Sequence, residues 1–324
     1  MRMSVIIPTY KRTADLYRCL EGLRRQRRRP DEVVVVVREG DEETAQLLTG
    51  PAAARLPLRT AMVALPGQVA ALNRGLEAAL GDIVSIVDDD TVPAPDWLAR
   101  IERHFEADAA VGGVGGRDDV HTARGRVSER RRRVGIVQWH GRVIGNHHLG
   151  DGPPREVDVL KGANMSYRRT AVGEHRFDTR LAGTGAQVHN DLDFSYGVKR
   201  AGWKLVYDPE VRLDHYPAQR HDSDQRGAFN RAAQFNMAYN EAYIMIKHLG
   251  GPRRLAYWWW AQLCGTAAKP GAVWALLLLL RGAPEARLRW QETQRGRAAG
   301  KRAAAEAGRD ALPPRSPGRR AYGR

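Results

Sequence analysis

Residues 71–98 read ALNRGLEAALGDIVSIVDDDTVPAPDWL, and this segment is the most informative about the fold class because it joins a helix, a buried strand and three carboxylates. Apolar residues recur at helical spacing over residues 68–80, and Gly81 follows them as a typical helix stop. Residues 83–87 are continuously apolar, which predicts a strand covered on both faces. The stretch therefore predicts a helix, an interior strand and an acidic turn at the carboxyl end of that strand.

Strand and helix signals alternate on the N-terminal side of this stretch. Residues 4–8 form a short apolar run, residues 13–25 carry leucines at helical spacing, and residues 32–37 hold five valines. This order predicts an α/β fold with a doubly wound, mostly parallel sheet flanked by helices. Ligands of such sheets bind beyond the carboxyl ends of the strands, so the residues that follow the strands are the first candidates for a site.

The remainder of the chain predicts further elements and two changes of character. The expected elements are helices over 96–105, 190–201 and 228–248, a strand within 156–169, short strands over 205–207 and 211–213, and a long basic loop over 117–155. We expect three segments: an α/β unit over residues 1–220, a helical extension over 221–295, and a basic, disordered tail over 296–324.

Composition excludes several classes of protein. The 324 residues are 43% hydrophobic and 27% charged, which predicts a globular core and excludes wholesale disorder. Only Cys19 and Cys264 occur, which excludes a disulfide framework or cysteine zinc cluster and favours a reducing compartment. The N-terminal apolar run is too short for a secretory signal, and no apolar stretch reaches the ~18 residues of a membrane span. We therefore expect a cytoplasmic protein.

The formal net charge of +15 is concentrated near the C-terminus. Residues 281–324 hold 12 Arg or Lys against 4 Asp or Glu, a surplus of eight. Such a segment suits an anionic surface or serves only solubility. Residues 255–280 contain three consecutive tryptophans and a run of leucines, which is typical of an interfacial segment. One expected partner is thus an anionic membrane surface, the inner face of the cell membrane; packing on the core or dimerisation is the alternative.

Asp88, Asp89 and Asp90 directly follow the predicted strand over 83–87. Clustered carboxylates repel one another, so a divalent cation is the expected means of holding them together. Their oxygens suit hard ions such as Mn²⁺ or Mg²⁺, and a cation there can neutralise a leaving diphosphate. The alternative is a solvated acidic turn, but open α/β sheets place their ligand sites at this edge.

Four sequence blocks, taken in order, resemble the family 2 glycosyltransferases, which are inverting enzymes with the GT-A fold. The blocks are VIIPTYKR at 5–12, the stretch at 71–98, GANMSYRR at 162–169 and NDLDFSYGVKRAGWKLVYDPEVRLDH at 190–215. The resemblance implies a metal-dependent hexosyltransferase. Its donor would be a nucleotide-diphospho-sugar, with UDP as the first choice, and its acceptor a hydroxyl of a glycan or a lipid-linked molecule.

The resemblance also implies which residues contact the donor. Pro8, Thr9 and Tyr10 would line the nucleotide base, and Arg12 would lie near the phosphates. These residues end the first predicted strand, where a ligand crevice is expected to open.

The resemblance implies further contacts with the sugar-nucleotide donor at positions where this sequence departs from the family pattern. The family carries an acidic pair after the second strand, where this chain has Arg38-Glu39, so Glu39 and the nearby Asp41 are the two candidates for a base contact. Asn73, one helix before the acidic turn, is a further donor candidate.

Within the acidic turn the resemblance divides the roles. Asp88 would contact ribose or the metal, Asp90 would be the metal ligand proper, and Asp89 would share donor binding or serve structure. His215 resembles a histidine that coordinates the metal or a phosphate in part of the family, and imidazole suits Mn²⁺. A structural histidine is the alternative for His215.

An inverting transfer needs a carboxylate that deprotonates the attacking hydroxyl. The family has Glu-Asp at the start of a helix and this chain has Asn190-Asp191, so the resemblance implies that Asp191 is the catalytic base. A helix N-terminus stabilises such a carboxylate, although any acid in a first helical turn gains the same interaction. Asp193 is the second candidate and would otherwise serve packing or acceptor positioning.

Two other functions are compatible with parts of the sequence. A nucleotidyltransferase also holds metal on carboxylates of an α/β sheet, but its first loop is expected to be Gly-rich, where this chain has IPTYKRT at 7–13. A basic nucleic-acid-binding protein needs a recognisable module or basic-aromatic interleaving in its folded part. Because the surplus charge lies near the C-terminus, we expect no nucleic-acid partner.

Overall fold

A computed structural model describes residues 1–50, 54–122, 125–218 and 229–310 of the chain. The strands within them are β1 (Met3–Thr9), β2 (Glu32–Arg38), β3 (Leu58–Val63), β4 (Ile83–Val87), β5 (Thr91–Pro93), β6 (Val111–Thr122), β7 (Gly125–Arg126), β8 (Ile136–Val137), β9 (Val143–Ile144), β10 (Arg155–Val157), β11 (Asn164–Arg168) and β12 (Lys204–His215). The helices are α1 (Thr13–Arg24), α2 (Glu42–Thr49), α3 (Gln68–Ala78), α4 (Trp97–Ala107), α5 (Arg169–Val172), α6 (Asn190–Arg200), α7 (Arg231–His248), α8 (Gly251–Leu263), α9 (Ala272–Leu280) and α10 (Ala286–Asp310).

The strands form a central mixed sheet in the order β10-β12-β6-β11-β4-β1-β2-β3. β1 pairs in parallel with β2 and β4, and β2 pairs in parallel with β3. β11 runs antiparallel between β4 and β6 and joins the parallel half to the mixed half. The predicted α/β fold with a mixed, mostly parallel sheet flanked by helices is confirmed.

The valines of β2 show that the sheet is buried on both faces. Val33 and Val35 belong to the core on one face, and Val34 and Val36 belong to the core on the other. Side chains alternate along a strand, so a continuous apolar run needs cover on two sides. The polar residues that follow such strands are therefore concentrated at the edge of the sheet.

Two strand predictions differ from the structure. Residues 58–63 form β3, an edge strand that the apolar pattern does not reveal because Arg59 and Thr60 are exposed. β4 is therefore the fourth strand of the chain and not the third. Residues 204–215 form the single strand β12 instead of two short strands, because the chain pairs with β6 on both sides of an irregularity between Asp208 and Leu213.

Residues 117–155, predicted as one long loop, contain several paired strands. β6 continues to Thr122 and pairs with β7, β8 pairs with β9, and β10 pairs with β12. Each of β7 to β10 is two or three residues long, which is too short for alternation of apolar residues to reveal a strand.

The C-terminal helices share the core of the α/β unit. Tyr243 of α7, Tyr257 of α8 and Ala304 of α10 belong to the same buried cluster as Leu72 and Leu76 of α3. The helices over this part of the chain are thus held on the sheet layer by apolar packing. The boundary expected between residues 220 and 221 lies outside the described residues.

Helix α10 contradicts the expectation of disorder from residue 296. It continues to Asp310 and packs against α7. At Gly296 a Cβ atom would lie 2.5 Å from the Phe235 carbonyl oxygen, and at Gly300 it would lie 2.3 Å from that of Tyr239. Glycine at both positions therefore allows the two helices to approach closely, a role that the Arg/Ala/Gly composition concealed. Residues 311–324 of the expected tail lie outside the described residues.

The tryptophans and leucines of the predicted interfacial segment lie on α8 and α9. α9 is nine residues long. Within the described parts of the chain, no helix has the length and apolar character needed to cross a membrane.

Candidate active site

A cleft opens where β1 and β4 end, as the parallel arrangement of these strands predicts. Its volume is about 190 Å³, and its walls come from the turns after β1 and β4, the start of α3 and the segment before α6. The structure brings these predicted site residues together in its lining: Pro8, Thr9, Tyr10, Arg12, Asp88, Asp89 and Asp90.

Asp89 holds the turn after β1 against the acidic turn. Its two carboxylate oxygens accept hydrogen bonds from Thr9 Oγ1 at 2.8 Å and from Arg12 Nη1 at 3.1 Å. Burial raises the pKa of Asp89 to about 7 and outweighs the opposing effect of Arg12. Because both oxygens are engaged by the protein, Asp89 organises the cleft, and the Thr9 hydroxyl is directed to Asp89.

Asp90 and His215 face each other beyond the end of β4. Asp90 Oδ2 accepts a hydrogen bond from the Ala218 backbone N–H at 2.9 Å, and Asp90 Oδ1 lies 3.4 Å from His215 Nε2. His215 Nδ1 lies 3.2 Å from Asp118 Oδ2, so the imidazole is held between two carboxylates. Burial lowers the pKa of His215, but hydrogen bonding to Asp118 and the charge of Asp90 outweigh burial and raise it to about 9.

This pair of side chains has the donor atoms for a divalent cation. Asp90 Oδ1 and His215 Nε2 are both buried, and neither makes a hydrogen bond. The two atoms form an ion pair at 3.4 Å, but buried polar atoms without a hydrogen bond are rare and indicate a missing partner. A carboxylate oxygen and an imidazole nitrogen suit Mn²⁺, and Mg²⁺ accepts the carboxylate. Among the residues that the structure describes, no three acidic, His or Cys side chains form a metal-binding group, so most ligands would have to come from elsewhere.

Asp88 connects the acidic turn to the start of α3. It lines the cleft, and its Oδ1 accepts a hydrogen bond from Gln68 Nε2 at 3.3 Å. Gln68 Oε1 in turn accepts a hydrogen bond from Asn190 Nδ2 at 3.3 Å. Burial and the nearby charge of Asp90 raise the pKa of Asp88. The acidic turn is thus joined to the residue that precedes Asp191.

A second chain of contacts leads from His215 to Asp191. Lys161 forms an ion pair with Asp118, the carboxylate that also contacts His215. The next residue, Gly162, donates its backbone N–H to Asp191 Oδ2 at 3.1 Å. Asp191 lies in the first turn of α6 and is half-buried. The predicted metal residues and the predicted base are therefore linked by a continuous series of contacts.

The turn before α6 is tied to the C-terminal helices. His189 has a left-handed backbone (φ 74°), which is uncommon for a residue other than glycine. Lys269 Nζ lies 3.4 Å from His189 Nε2 and pairs with Glu241 of α7 at 2.7 Å. Burial and the charge of Lys269 lower the pKa of His189 to about 4, so its ring is neutral near pH 7 and accepts the hydrogen bond.

Arg38, and not Glu39, faces the cleft from the end of β2. Its guanidinium lies 4.8 Å from the centre of the Tyr10 ring. Glu39 is exposed and does not line the cleft. Asp41 is buried as the N-cap of α2, where it accepts hydrogen bonds from the backbone N–H groups of Lys11 at 2.5 Å and Thr44 at 3.3 Å. The prediction that Glu39 and Asp41 contact the nucleotide base is therefore wrong. Glu39 is exposed to solvent, and Asp41 binds backbone N–H groups.

Asn73 also departs from its predicted role at the donor. Its Nδ2 donates to the Phe177 carbonyl oxygen at 2.9 Å, and its Oδ1 accepts from the Phe177 N–H at 2.9 Å. A side-chain amide that pairs in both directions with one backbone residue fixes a loop. Asn73 does not line the cleft, and it attaches the segment around Phe177 to α3.

Asp193, the second candidate base, is fully buried in an ion-pair network. It accepts hydrogen bonds from Lys247 Nζ at 2.9 Å, and one of its oxygens lies 2.7 Å from His248 Nε2. Burial raises its pKa, but His248 and Lys247 outweigh burial and lower the pKa of Asp193 below its ordinary value. Asp193 therefore attaches α6 to α7 and is not available to a substrate.

Replacing Asp193 by Asn is expected to lower the free energy of unfolding by about 3 kcal/mol near pH 7, because it removes the buried carboxylate that pairs with Lys247 and contacts His248. The folded-state pKa is depressed, so this stabilisation is present above the unfolded pKa of about 4 and is lost as pH falls through the lower folded value. Urea unfolding at several pH values measures both effects. Glu156→Gln, which breaks an exposed pair with Lys199, should cost well under ~1 kcal/mol; equal costs for the two variants would contradict the network.

Three site residues have no counterpart among the sequence predictions: Asp118, Lys161 and Arg38. Asp118 and Asp119 follow the apolar and glycine run at the start of β6, so the rule that selected the acidic turn after β4 could also have selected them. Lys161 precedes the GANMSYRR block, and nothing in its immediate sequence distinguishes it from a surface lysine. Its partner Asp118 becomes apparent only when β6 and β11 pair.

Known proteins share sequence and fold with this chain. A family model described as "Glycosyltransferase like family 2" matches residues 2–233. The chain is 25% identical over 224 residues to a glucosyl-dolichyl phosphate glucuronosyltransferase of Haloferax volcanii, which covers 66% of this chain and 69% of that protein. It is 32% identical over 109 residues to the uncharacterized glycosyltransferase YwdF of Bacillus subtilis, a match over 33% of this chain and only 39% of that protein.

Solved structures show the same fold. The mannosyltransferase PcManGT of Pyrobaculum calidifontis, in complex with GDP-Man and Mn²⁺, superposes with a TM-score of 0.56 at 21% identity and covers 94% of this chain and 87% of that one. S. aureus TarS 1-349, in complex with UDP-GlcNAc, superposes with a TM-score of 0.58 at 15% identity and covers 96% and 92%. These likenesses establish a GT-A fold. Because the family model spans every residue that lines the cleft, the chain belongs to the family 2 glycosyltransferases.

Proposed function

We propose that this glycosyltransferase is a metal-dependent, inverting enzyme that takes its sugar from a nucleotide-diphospho-sugar. The observation that carries the proposal is the series of contacts that links Asp90, His215, Asp118 and Lys161 to Asp191. It connects donor atoms for a cation to a carboxylate suited to act as a base. A leaving diphosphate and an attacking hydroxyl need these two groups on opposite sides of one sugar.

The nucleotide base is proposed to lie against Tyr10, with Arg38 beside it. A guanidinium has only hydrogen-bond donors, so Arg38 would bind carbonyl oxygens of the base, which uracil, thymine and guanine all present. The acidic pair typical of the family would instead bind N–H groups. UDP remains the first candidate, and the neighbours in complex with GDP-Man and UDP-GlcNAc support a sugar nucleotide as the donor class.

Asp90 and His215 are the proposed cation ligands, with Asp88 close to them in the cleft. Bound Mn²⁺ or Mg²⁺ would neutralise the charge that develops on the leaving diphosphate. Binding at His215 Nε2 requires release of the proton that Asp90 and Asp118 stabilise on the ring. Asp118 then accepts the remaining N–H at Nδ1 and orients the imidazole, as the outer partners of ligating histidines generally do.

Asp191 is the proposed base. As the acceptor oxygen attacks the anomeric carbon, its proton passes to the Asp191 carboxylate. The bond from that carbon to the donor phosphate oxygen breaks, and the nucleoside diphosphate leaves with the electron pair. A single displacement inverts the anomeric configuration. The N–H groups of Gly162 and Leu192 hold one carboxylate oxygen each, at 3.1 and 2.8 Å, which orients Asp191 and leaves further lone pairs for the hydroxyl.

The acceptor is proposed to be a glycan or a lipid-linked molecule that carries a free hydroxyl. The Haloferax volcanii relative is named for a glucosyl-dolichyl phosphate acceptor, which supports the lipid-linked class.

Binding of nucleotides with and without Mn²⁺ tests the proposal. We expect UDP, GDP or dTDP to raise the melting temperature only when Mn²⁺ is present, because the cation links the diphosphate to Asp90 and His215. Arg38→Ala should weaken binding of the preferred nucleotide by about tenfold, the effect of losing one charge-assisted hydrogen bond. Thermal shift over a nucleotide titration measures both.

Arg18→Ala is the matched control, since Arg18 is exposed on α1 and does not line the cleft. A metal-independent shift would contradict the cation site. Equal affinity of the Arg38→Ala variant and the wild type for every nucleotide would contradict the base contact. Release of a sugar with inverted configuration, read by NMR, completes the test.

A further inference from the structure

Helix α8 has one apolar stripe that does not pack on the core. Leu255, Trp259 and Leu263 follow one another at spacings of four residues, and each is more than half exposed. The buried side chains of α8, Tyr257 and Ala261, lie on the opposite side of the same helix. Large apolar side chains usually face the core on such a helix, so the stripe indicates a surface for a partner.

Helix α9 packs against α8 and is still less covered by the protein. Its sequence is AVWALLLLL, and Ala275 is its one buried residue. Leu276 is 57% exposed and Leu280 is 75% exposed. We call the exposed apolar residues of these two helices the apolar face: Leu255, Trp259, Leu263, Val273, Leu276, Leu279 and Leu280.

Basic residues border the apolar face. From residue 251 to residue 290 the sequence holds six Arg or Lys and one acidic residue, Glu285, but Lys269 is buried in an ion pair with Glu241 and does not belong to this border. Arg254 precedes the stripe of α8, while Arg281 and Arg287 follow α9, and all three are exposed. Tryptophan and leucine side chains next to arginines are typical of helices that lie in the headgroup region of a bilayer.

We propose that the apolar face docks α8 and α9 flat on the surface of an anionic lipid bilayer. The leucines and Trp259 would enter the headgroup boundary, and the bordering arginines would contact lipid phosphates. A second copy of this chain fits less well, because a symmetric contact brings the same arginines of both copies together. This inference does not depend on the donor or the base proposed above, and it makes a membrane-embedded acceptor accessible to the enzyme.

Flotation of the full chain with lipid vesicles tests this inference. We expect the wild type to float with vesicles that contain about one third phosphatidylglycerol and to stay behind with pure phosphatidylcholine, because the arginines require anionic headgroups. Trp259→Asp combined with Leu276→Asp should reduce the bound fraction by about tenfold or more, since two charges would enter the apolar boundary. Arg281→Glu combined with Arg287→Glu should do the same at low salt, when screening is weak.

Leu80→Asp is the matched control, because Leu80 is 57% exposed but follows α3, far along the chain from the apolar face. It should float like the wild type. Melting temperatures close to that of the wild type would show that the variants are folded. Failure of the wild type to float, or unchanged flotation of the Trp259 and Leu276 double variant, would overturn the inference. A dimer in sedimentation that this double variant dissociates, without any lipid binding, would assign the face to a second copy instead.

Discussion

Replacing Asp191 by Asn is expected to lower the kcat of glycosyl transfer by roughly 10²- to 10⁴-fold, the usual contribution of a general base. Asn is nearly isosteric with Asp and can still accept the Gly162 N–H, but it cannot take the proton of the acceptor hydroxyl. The donor KM should change little, because Asp191 is not part of the cleft lining where the nucleotide is proposed to bind. A steady-state assay with donor and acceptor varied separately distinguishes the two parameters.

Glu77→Gln is a suitable control for the loss of one carboxylate charge. Glu77 is exposed on α3 and is paired only loosely, at 3.6 Å from Arg74. Its variant should show the kinetics of the wild type. Loss of nucleotide binding in Asp191→Asn would indicate a structural acid, and an undiminished kcat would remove Asp191 from the reaction.

Replacing Asp90 by Asn is expected to lower kcat/KM by about 10³-fold, because a cation at the leaving diphosphate supplies several kcal/mol of transition-state stabilisation. The amide can replace the hydrogen bond to the Ala218 N–H but not the charge that faces His215 Nε2. Calorimetry of Mn²⁺ binding in the presence of the preferred nucleotide measures the loss directly. Activity should recover only in part at high Mn²⁺.

Asp118→Asn provides a graded comparison with Asp90→Asn. Asp118 contacts His215 Nδ1 and Lys161 rather than the proposed cation, so its replacement should cost about 10- to 100-fold in metal affinity, as for other partners of ligating histidines. Equal Mn²⁺ affinity of Asp90→Asn and the wild type would contradict the cation site. A larger loss in Asp118→Asn than in Asp90→Asn would reverse the two proposed roles.

The proposed cation ligands and the proposed base Asp191 are linked by residues that come from different strands. Asp118 lies in β6 and pairs with Leu213 of β12, Lys161 precedes β11, and His215 ends β12. Because β6 lies between β11 and β12, any variant that weakens this pairing should affect cation binding and the orientation of Asp191 together. If Asp90→Asn impairs only cation binding and Asp191→Asn impairs only kcat, the two residues act separately in the reaction. If either variant impairs both, the strand pairing that joins them has been disturbed.

Much of the fold follows from local patterns. The five valines of β2 and the apolar run of β4 predict interior strands, because only a sheet covered on both faces can bury every side chain of such a run. The same reasoning locates the ligand cleft, since parallel strands end at one edge. β3 was missed because an edge strand with exposed Arg59 and Thr60 lacks that pattern. Composition does not predict the ordered part of α10, because it does not show that the glycines lie on the helix face that packs against α7.

The errors at the site have a related cause. Glu39, Asp41 and Asn73 lie in segments where the resemblance implies donor contacts. A contact also depends on where the side chain points, and a shift of one or two residues along a turn changes that direction. Asp41 accepts a hydrogen bond from the N-terminus of α2, and Asn73 forms hydrogen bonds with the backbone of Phe177, because unpaired backbone groups bind the nearest suitable side chain. The side chain that faces the cleft from the end of β2 is therefore that of Arg38.

Residues that are neighbours in the chain are enough to predict the class of sheet, the edge at which the cleft opens, the acidic turn after β4 and the membership of the family. Three contacts follow from the three-dimensional fold and not from such neighbours: His215 faces Asp90, Asp118 and Lys161 link this pair to Asp191, and Asp193 is a buried structural acid. These contacts join residues that are far apart in sequence. Their distances are set by strand order and helix packing, which no local pattern specifies.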